Sequence, residues 1–400
     1  MPPPQSRTKP RRPSRRKPSL LIVFSAGLAL GVLIPVYVIR HHPPAVAAAP
    51  LTIPLSPYPP QDIALPSSPA EVGDFAWKLF IALNWPVAPG QRGIPDSTRH
   101  IGDSALTVWQ SFKSISDVFT QDGKDPGPWN PGDTPQPILL DQTSKATQRE
   151  LQLSEIKQAI GGPLTDQHGN LTFYQKAANV ISYDFIRENK LYTATGQASH
   201  GPVVFPFGAI EVKAAWRVMT ADDNQSRYYT MPALIPGTHV HDSVTVGLVG
   251  LHIIIKTPNA PSWIWTTFEQ VDNVPGPAPG AAPWSYNNPA STTPPNKQTP
   301  PGTPAQVTRV NPDLPIDINY RWQHALQDTP WQYYQLIGAQ FPQANPQPDQ
   351  LANVVMETYI QPQSSCIDCH STAKTLAQQN SDFSFLLLDA SSPPPAPASH

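Results

Sequence analysis

Cys366, Cys369 and His370 stand together in the stretch "SSCIDCH" and hold the only two cysteines of a 400-residue chain. Four chemistries use such a spacing. A Cys366–Cys369 disulfide would close a very short loop and stabilise the fold little. A thioredoxin-like redox pair needs the motif at a helix start after a strand, and the approach "YIQPQSSC" supplies no strand. Structural zinc needs a fourth ligand and usually a second ligand pair, which the neighbouring sequence lacks. The fourth chemistry is covalent haem attachment by C-x-x-C-H, where two thiols take the vinyl groups and the adjacent imidazole takes the iron. We expect one covalent haem c, with Cys366 and Cys369 as thioether residues and His370 as the proximal iron ligand.

Other groups are candidates for the opposite side of such an iron. His252 lies in "GLHIII", between Leu251 and Ile253, and a buried imidazole needs a partner. It is the candidate distal ligand, against the alternative of a core histidine bonded to backbone. Met356 and Met231 are expected to pack rather than ligate. His239 and His241, with Asp242, form an H-x-H pair of the kind that binds transition metals, but a solvated loop is the plainer reading. Trp263 and Trp265 alternate along a strand pattern and are expected to pack in the core or on a haem. Glu211, Glu269 and Asp272 are carboxylates whose spacing indicates no shared chemistry. No catalytic residue set is assigned.

The elements that must position these residues lie in a proline-rich chain, with 52 prolines and only 14% charged residues. Proline blocks helix interiors, so much of the chain is expected to be loop. Residues 1–18 form a basic tail, expected to be cytoplasmic. Ser19–Ile39 carries no charge and is long enough to span a hydrocarbon core of about 30 Å, which makes a transmembrane signal-anchor the expectation and a cleaved signal the alternative. The eight lysines and arginines of residues 1–40 leave a net charge of −10 beyond them, against −2 for the whole chain. A mildly acidic body argues against nucleic acid as the main partner. The positive-inside rule would place that body in the periplasm, on the outer side of a bacterial inner membrane.

Residues 40–69 read as a proline- and alanine-rich linker and 70–274 as a β-rich body. "EVGDFAWKLFIALNWP" has helical periodicity ended by Pro86, and "ALTVWQSFKSISDVF" reads as a helix or a strand leading into one. "GPVVFPFGAIEVKAAWRVM", "SRYYTMPALI", "DSVTVGLVGLHIIIKT" and "SWIWTTFEQV" read as consecutive antiparallel strands, with Val244–Ile255 central and buried. Residues 275–315 form a proline-rich loop or linker and 316–389 the C-terminal haem segment, in which "QLANVVMETYI" and "STAKTLAQQ" are expected to be helical. Residues 390–400 read as a disordered tail. The fold class is α+β: a β-rich antiparallel body with flanking helices and a short helical C-terminal haem segment.

CIDCH resembles the attachment motif of cytochromes c residue by residue. The stretches "FAWKLFIALNWP", "EVKAAWRVM", "GLVGLHIIIKT", "WIWTTFEQVDN" and "DFSFLL" are similar to those of uncharacterised bacterial exported proteins with a single C-terminal haem c motif. The resemblance implies haem and brings no established activity. Small soluble cytochromes c place the motif near the start of a helical domain with a methionine downstream; here thirty residues follow His370, without methionine. The expectation is an exported, membrane-anchored monohaem c-type protein that passes single electrons to a redox partner protein. The alternatives are a peroxidase-like haem oxidoreductase and a non-haem binding or structural module.

Overall fold

The computed structural model describes residues 53–120, 122–129, 162–234, 243–277, 280–311, 313–342 and 349–390. The membrane span expected over residues 19–39 lies outside them. Among the described residues no helix is long and apolar enough to cross a membrane, which corrects the membrane-spanning expectation. The basic tail, the histidine pair His239 and His241 with Asp242, and residues 391–400 also lie outside the described residues.

Helix α1, Pro69–Leu83, starts where the sequence supplies a complete N-terminal signal. Ser68 and Glu71 close a capping box, and Pro69 occupies the first turn, where its missing N–H costs nothing. Then follow β1 (Lys113–Ser114), α2 (Ile115–Val118), β2 (Phe173–Ala178), α3 (Val180–Glu188) and α4 (Ala194–His200). The body continues with β3 (Ile210–Val218), β4 (Thr230–Leu234), β5 (Ser243–Thr257) and β6 (Ala260–Gln270). Helix α5 (Ile316–Ala325), β7 (Tyr334–Gln340) and the one-turn helix α6 (Cys366–His370) complete the order.

The strands form one antiparallel sheet in the order β1-β2-β3-β5-β6-β7, with β4 paired to the outer part of β5. Each of the four stretches read as strands contains one, and β5 is central. The fold is α+β and β-rich, as expected. Strand β2 and the strand character of β7 were not assigned from sequence.

Side chains alternate across a strand, and the alternation assigns each sheet face a task. Leu251, Ile253 and Ile255 of β5, with Val212, Ala214, Ile264 and Phe268, point to the helix side and join Trp77, Phe80 and Trp322 in the main core. Trp77 stacks edge-on to Phe268, with ring centroids 5.1 Å apart. Its indole N–H donates to Asn319 Oδ1 at 3.1 Å, so the burial leaves no orphan donor. Fully burying a side chain of this kind contributes about 1.5–3 kcal/mol. A register shift opposite Ala215 and Trp216 skips Val249. That bulge keeps Leu248 and Val246 on the helix side, where an uninterrupted strand would have turned them away.

The other face carries Glu211 and Lys213 of β3, His252, Ile254 and Lys256 of β5, and Trp263, Trp265 and Thr267 of β6. The C-terminal part of the chain lies over it. Gly250 allows this close approach: a Cβ there would stand 2.6 Å from Val355 Cγ2. The long proline-rich stretch before α5 has no helix or strand among its described residues, yet it buries Tyr286, Ala305 and Val307 against Val355 and Met356.

Two helical expectations in the C-terminal part are corrected. Residues 349–360 form turns, because Asn353 bonds across to Thr267 Oγ1 and the Phe268 carbonyl while its own Oδ1 takes the Val355 N–H. Such local side-chain bonds compete with helix. Residues 371–380 turn back on themselves through a Lys374–Asn380 bridge, with Thr375 N–H bonded to the Gln379 carbonyl.

Candidate functional site

Helix α6 is a single turn fixed at its start. The Ser365 hydroxyl accepts from Asp368 N–H, a standard N-cap. The Cys366 N–H donates to Gln340 Oε1 of β7 at 2.8 Å. The turn therefore sits on the edge strand at a defined height. Both cysteines are free; Cys366 is half-buried and Cys369 exposed. Burial pushes the Cys366 thiol well above its ordinary range, with Glu357 adding to the effect, and Cys369 is raised for the same reasons. Both are thiols rather than thiolates at neutral pH, which disfavours a reactive redox pair. Among the described residues no group of three or more His, Cys, Asp or Glu is arranged to hold a bare metal ion.

His370 is the most constrained of the three. Its ring lies 4.2 Å from the Trp265 ring and 4.8 Å from Phe385. Burial pushes its pKa down to about 4, outweighing the bond to the Phe383 carbonyl, which acts the other way. The imidazole is thus neutral at pH 7. Its Nδ1 lies 2.8 Å from the Phe383 carbonyl oxygen, an acceptor only, so Nδ1 carries the proton and Nε2 keeps its lone pair. A ring nitrogen held by a carbonyl while the other is left for a metal is the usual state of a ligating histidine. The donor set therefore fits a haem: two protonated thiols in C-x-x-C spacing, an imidazole presenting Nε2, and aromatic walls from Trp265 and Phe385.

His252 comes to the same neighbourhood from the sheet. Lys213 is its cross-strand partner on β3 and Thr267 on β6. The His252 Nε2 is buried without a hydrogen bond; the nearest acid, Glu357 Oε2, lies 3.5 Å away. Burial pushes the Glu357 carboxyl up, but His252, Lys213 and the Asn353 N–H outweigh it and hold it below its ordinary value. The charges of His252, Lys213 and Glu357 all act on His370. The fold thus brings His252 towards the Cys366, Cys369 and His370 turn from more than a hundred residues upstream. Glu357, Lys213, Gln340 and Phe383 were not singled out from sequence. Nothing in their spacing marks them, because each reaches the site through the sheet register or a turn.

The remaining candidates lie elsewhere. Met356 is fully buried with Val249 and Tyr286, and Met231 packs in the main core, where Gln110 Nε2 contacts its sulfur. Neither belongs to the apolar cluster that includes Cys366 and Trp265. Trp265 packs on the His370 ring, and Trp263 donates its indole N–H to the Asp382 carbonyl at 2.9 Å. Glu211, Glu269 and Asp272 do not form one set. Glu211 accepts from Ser384 Oγ, Glu269 pairs with Arg309, and Asp272 with Arg227. Two cavities of about 330 and 410 Å³ lie away from the motif and include none of its residues.

No known protein family matches this chain, and comparison with curated proteins and with solved structures gave no match either.

Proposed function

We propose that the protein is a monohaem c-type protein that carries single electrons, with its body on the extracytoplasmic side where such haems are attached. Cys366 and Cys369 would hold the haem through thioethers and His370 would bind its iron, which supplies a one-electron Fe(III)/Fe(II) couple. The observation that carries this reading is the His370 Nδ1 contact to the Phe383 carbonyl at 2.8 Å within a C-x-x-C-H turn. It leaves Nε2 as the ligating atom. Trp265 and Phe385 shield the imidazole from water, and such shielding is one means of tuning a haem potential. The natural counterpart is a redox partner protein.

The test is expression with a cytochrome c attachment system, followed by a denaturing gel stained for haem and a reduced-minus-oxidised spectrum. Covalent haem in the wild type, lost in a C366S/C369S variant, is the expected result. A wild-type chain without haem bands overturns the reading.

A second reading rests on the His252 Nε2, buried without a hydrogen-bond partner beside Glu357 and Lys213. If His252 is not the sixth ligand, it and Glu357 form an acid–base pair beside an open iron, as a haem oxidoreductase would require. A low-spin spectrum that turns high-spin in H252A supports ligation and electron transfer. A high-spin spectrum in the wild type favours the enzyme.

A further inference from the structure

Residues 382–384 are held by a set of directional bonds on both sides. Lys256, projecting from β5 on the same face as His252, pairs with the Asp382 carboxylate, and both side chains are shielded from water. Asp382 Oδ2 also accepts the Phe205 N–H at 2.8 Å. The Asp382 carbonyl takes the Trp263 indole N–H, and its own N–H goes to Asn380 Oδ1 at 2.8 Å. On the other side, the Ser384 hydroxyl donates to Glu211. Phe383, between them, has a carbonyl oriented towards His370 Nδ1. Asp382 and Phe383 both adopt left-handed backbone conformations, with φ of +54° and +68°. A phenylalanine seldom takes that conformation unless its surroundings impose it.

We propose that Lys256 and Asp382 are positioning residues that tune the haem iron by clamping the Phe383 carbonyl against His370. The inference rests on the haem reading. A fixed carbonyl acceptor on Nδ1–H makes the imidazole a more electron-rich ligand, which favours the ferric state and lowers the reduction potential. Loosening the clamp at either end weakens that hydrogen bond and raises the potential. Simple electrostatics gives a different pattern. Removing the Asp382 anion raises the potential, whereas removing the Lys256 cation lowers it.

The experiment is potentiometric titration of the haem-loaded protein and its K256M and D382N variants. Both variants are expected to shift upward, by an amount equal to about a tenfold change in the ferric-to-ferrous ratio, or about 59 mV for one electron. Opposite shifts, or no shift, overturn the clamp. Where a single variant fails to fold, the K256M/D382N pair leaves no lone charge and is expected to shift upward as well. An unchanged potential in the pair overturns the proposal.

A second measurement does not use haem. In a C366S/C369S background, the ¹⁵N NMR signals of His370 are expected to report the Nδ1–H tautomer, and added D382N is expected to give a mixture. A tautomer unaffected by D382N overturns the clamp. A wild-type chain that takes no covalent haem overturns both this proposal and the haem reading. Covalent haem with opposite potential shifts overturns the clamp alone.

Discussion

The two faces of the sheet are covered by different means. The helix face is closed by α1 and α5 through Trp77, Phe80, Trp322 and Phe268, a dry aromatic contact in which the indole nitrogens find single partners. The opposite face presents Glu211, Lys213, His252, Lys256 and Glu269; α2 and α3 share an apolar cluster with its Ile254, Trp263 and Trp265, while the C-terminal chain that covers it contains almost no regular structure. That covering is held by apolar contacts, such as Tyr286 and Val307 against Val355 and Met356, and by side-chain pairs that each need their own partner. Helices with an apolar stripe can bury a sheet without specifying atoms. A segment that must place one imidazole and two thiols needs directional bonds. The contrast separates a face closed by packed aromatics from one where directional bonds fix particular atoms as well.

The largest expected effect is on the helix face. Trp77→Ala should cost about 3–5 kcal/mol in chemical denaturation, through lost burial plus the cavity left behind. If the two faces are distinct in role, the folded fraction should keep the His370 environment of the wild type by NMR. A changed His370 signal in folded protein would break the comparison. Arg309→Met probes the other face. Arg309 pairs with the buried Glu269, which also accepts the Val354 N–H at 2.7 Å. Leaving that carboxylate unpaired should cost about 3–5 kcal/mol. It should expose residues 351–356 to hydrogen exchange before the helix face opens.

Gly250→Ala should cost about 1–3 kcal/mol by overpacking, since its methyl would meet Val355 at 2.6 Å. The same exchange measurement should find the loss confined to the covering segment.

The last expected effect is a slope with pH. Burial raises the Glu211 carboxyl to about 8, with Ser384 and Lys176 opposing and Asp382 reinforcing. Between its unfolded value of 4.5 and about 8, the native state binds more proton than the unfolded one. Stability therefore falls as pH rises through that window, by at most about 1.4 kcal/mol per pH unit from this group. Glu211→Gln should flatten the slope in denaturation curves taken from pH 5 to 8. An unchanged slope would assign the burial of Glu211 no part in pH dependence.

Much of the fold was legible because it follows local rules. The helical period of "EVGDFAWKLFIALNWP" announces α1, and the β-branched runs of β3 to β6 announce the sheet. The two helices expected over residues 350–360 and 371–379 were misread. Their apolar spacing suits a helix, but Asn353 and the Lys374–Asn380 bridge supply competing local bonds. Strand β7 carries no clean alternation, since a register shift opposite Thr267 and Phe268 interrupts it.

The sequence by itself determined the candidate chemistry, because C-x-x-C-H is a spacing within five residues, and covalent spacing needs no fold to be read. It also determined the alternation that sends Leu251 and Ile253 to one face of β5 and His252 to the other. The tertiary structure decided what surrounds that chemistry. The register placed Lys213 beside His252, a turn brought Glu357 to it, and two left-handed residues turned the Phe383 carbonyl to His370. Those contacts join parts of the chain far apart in sequence. They depend on strand register and on a few directional bonds, and neither leaves a local pattern in the residues that make them.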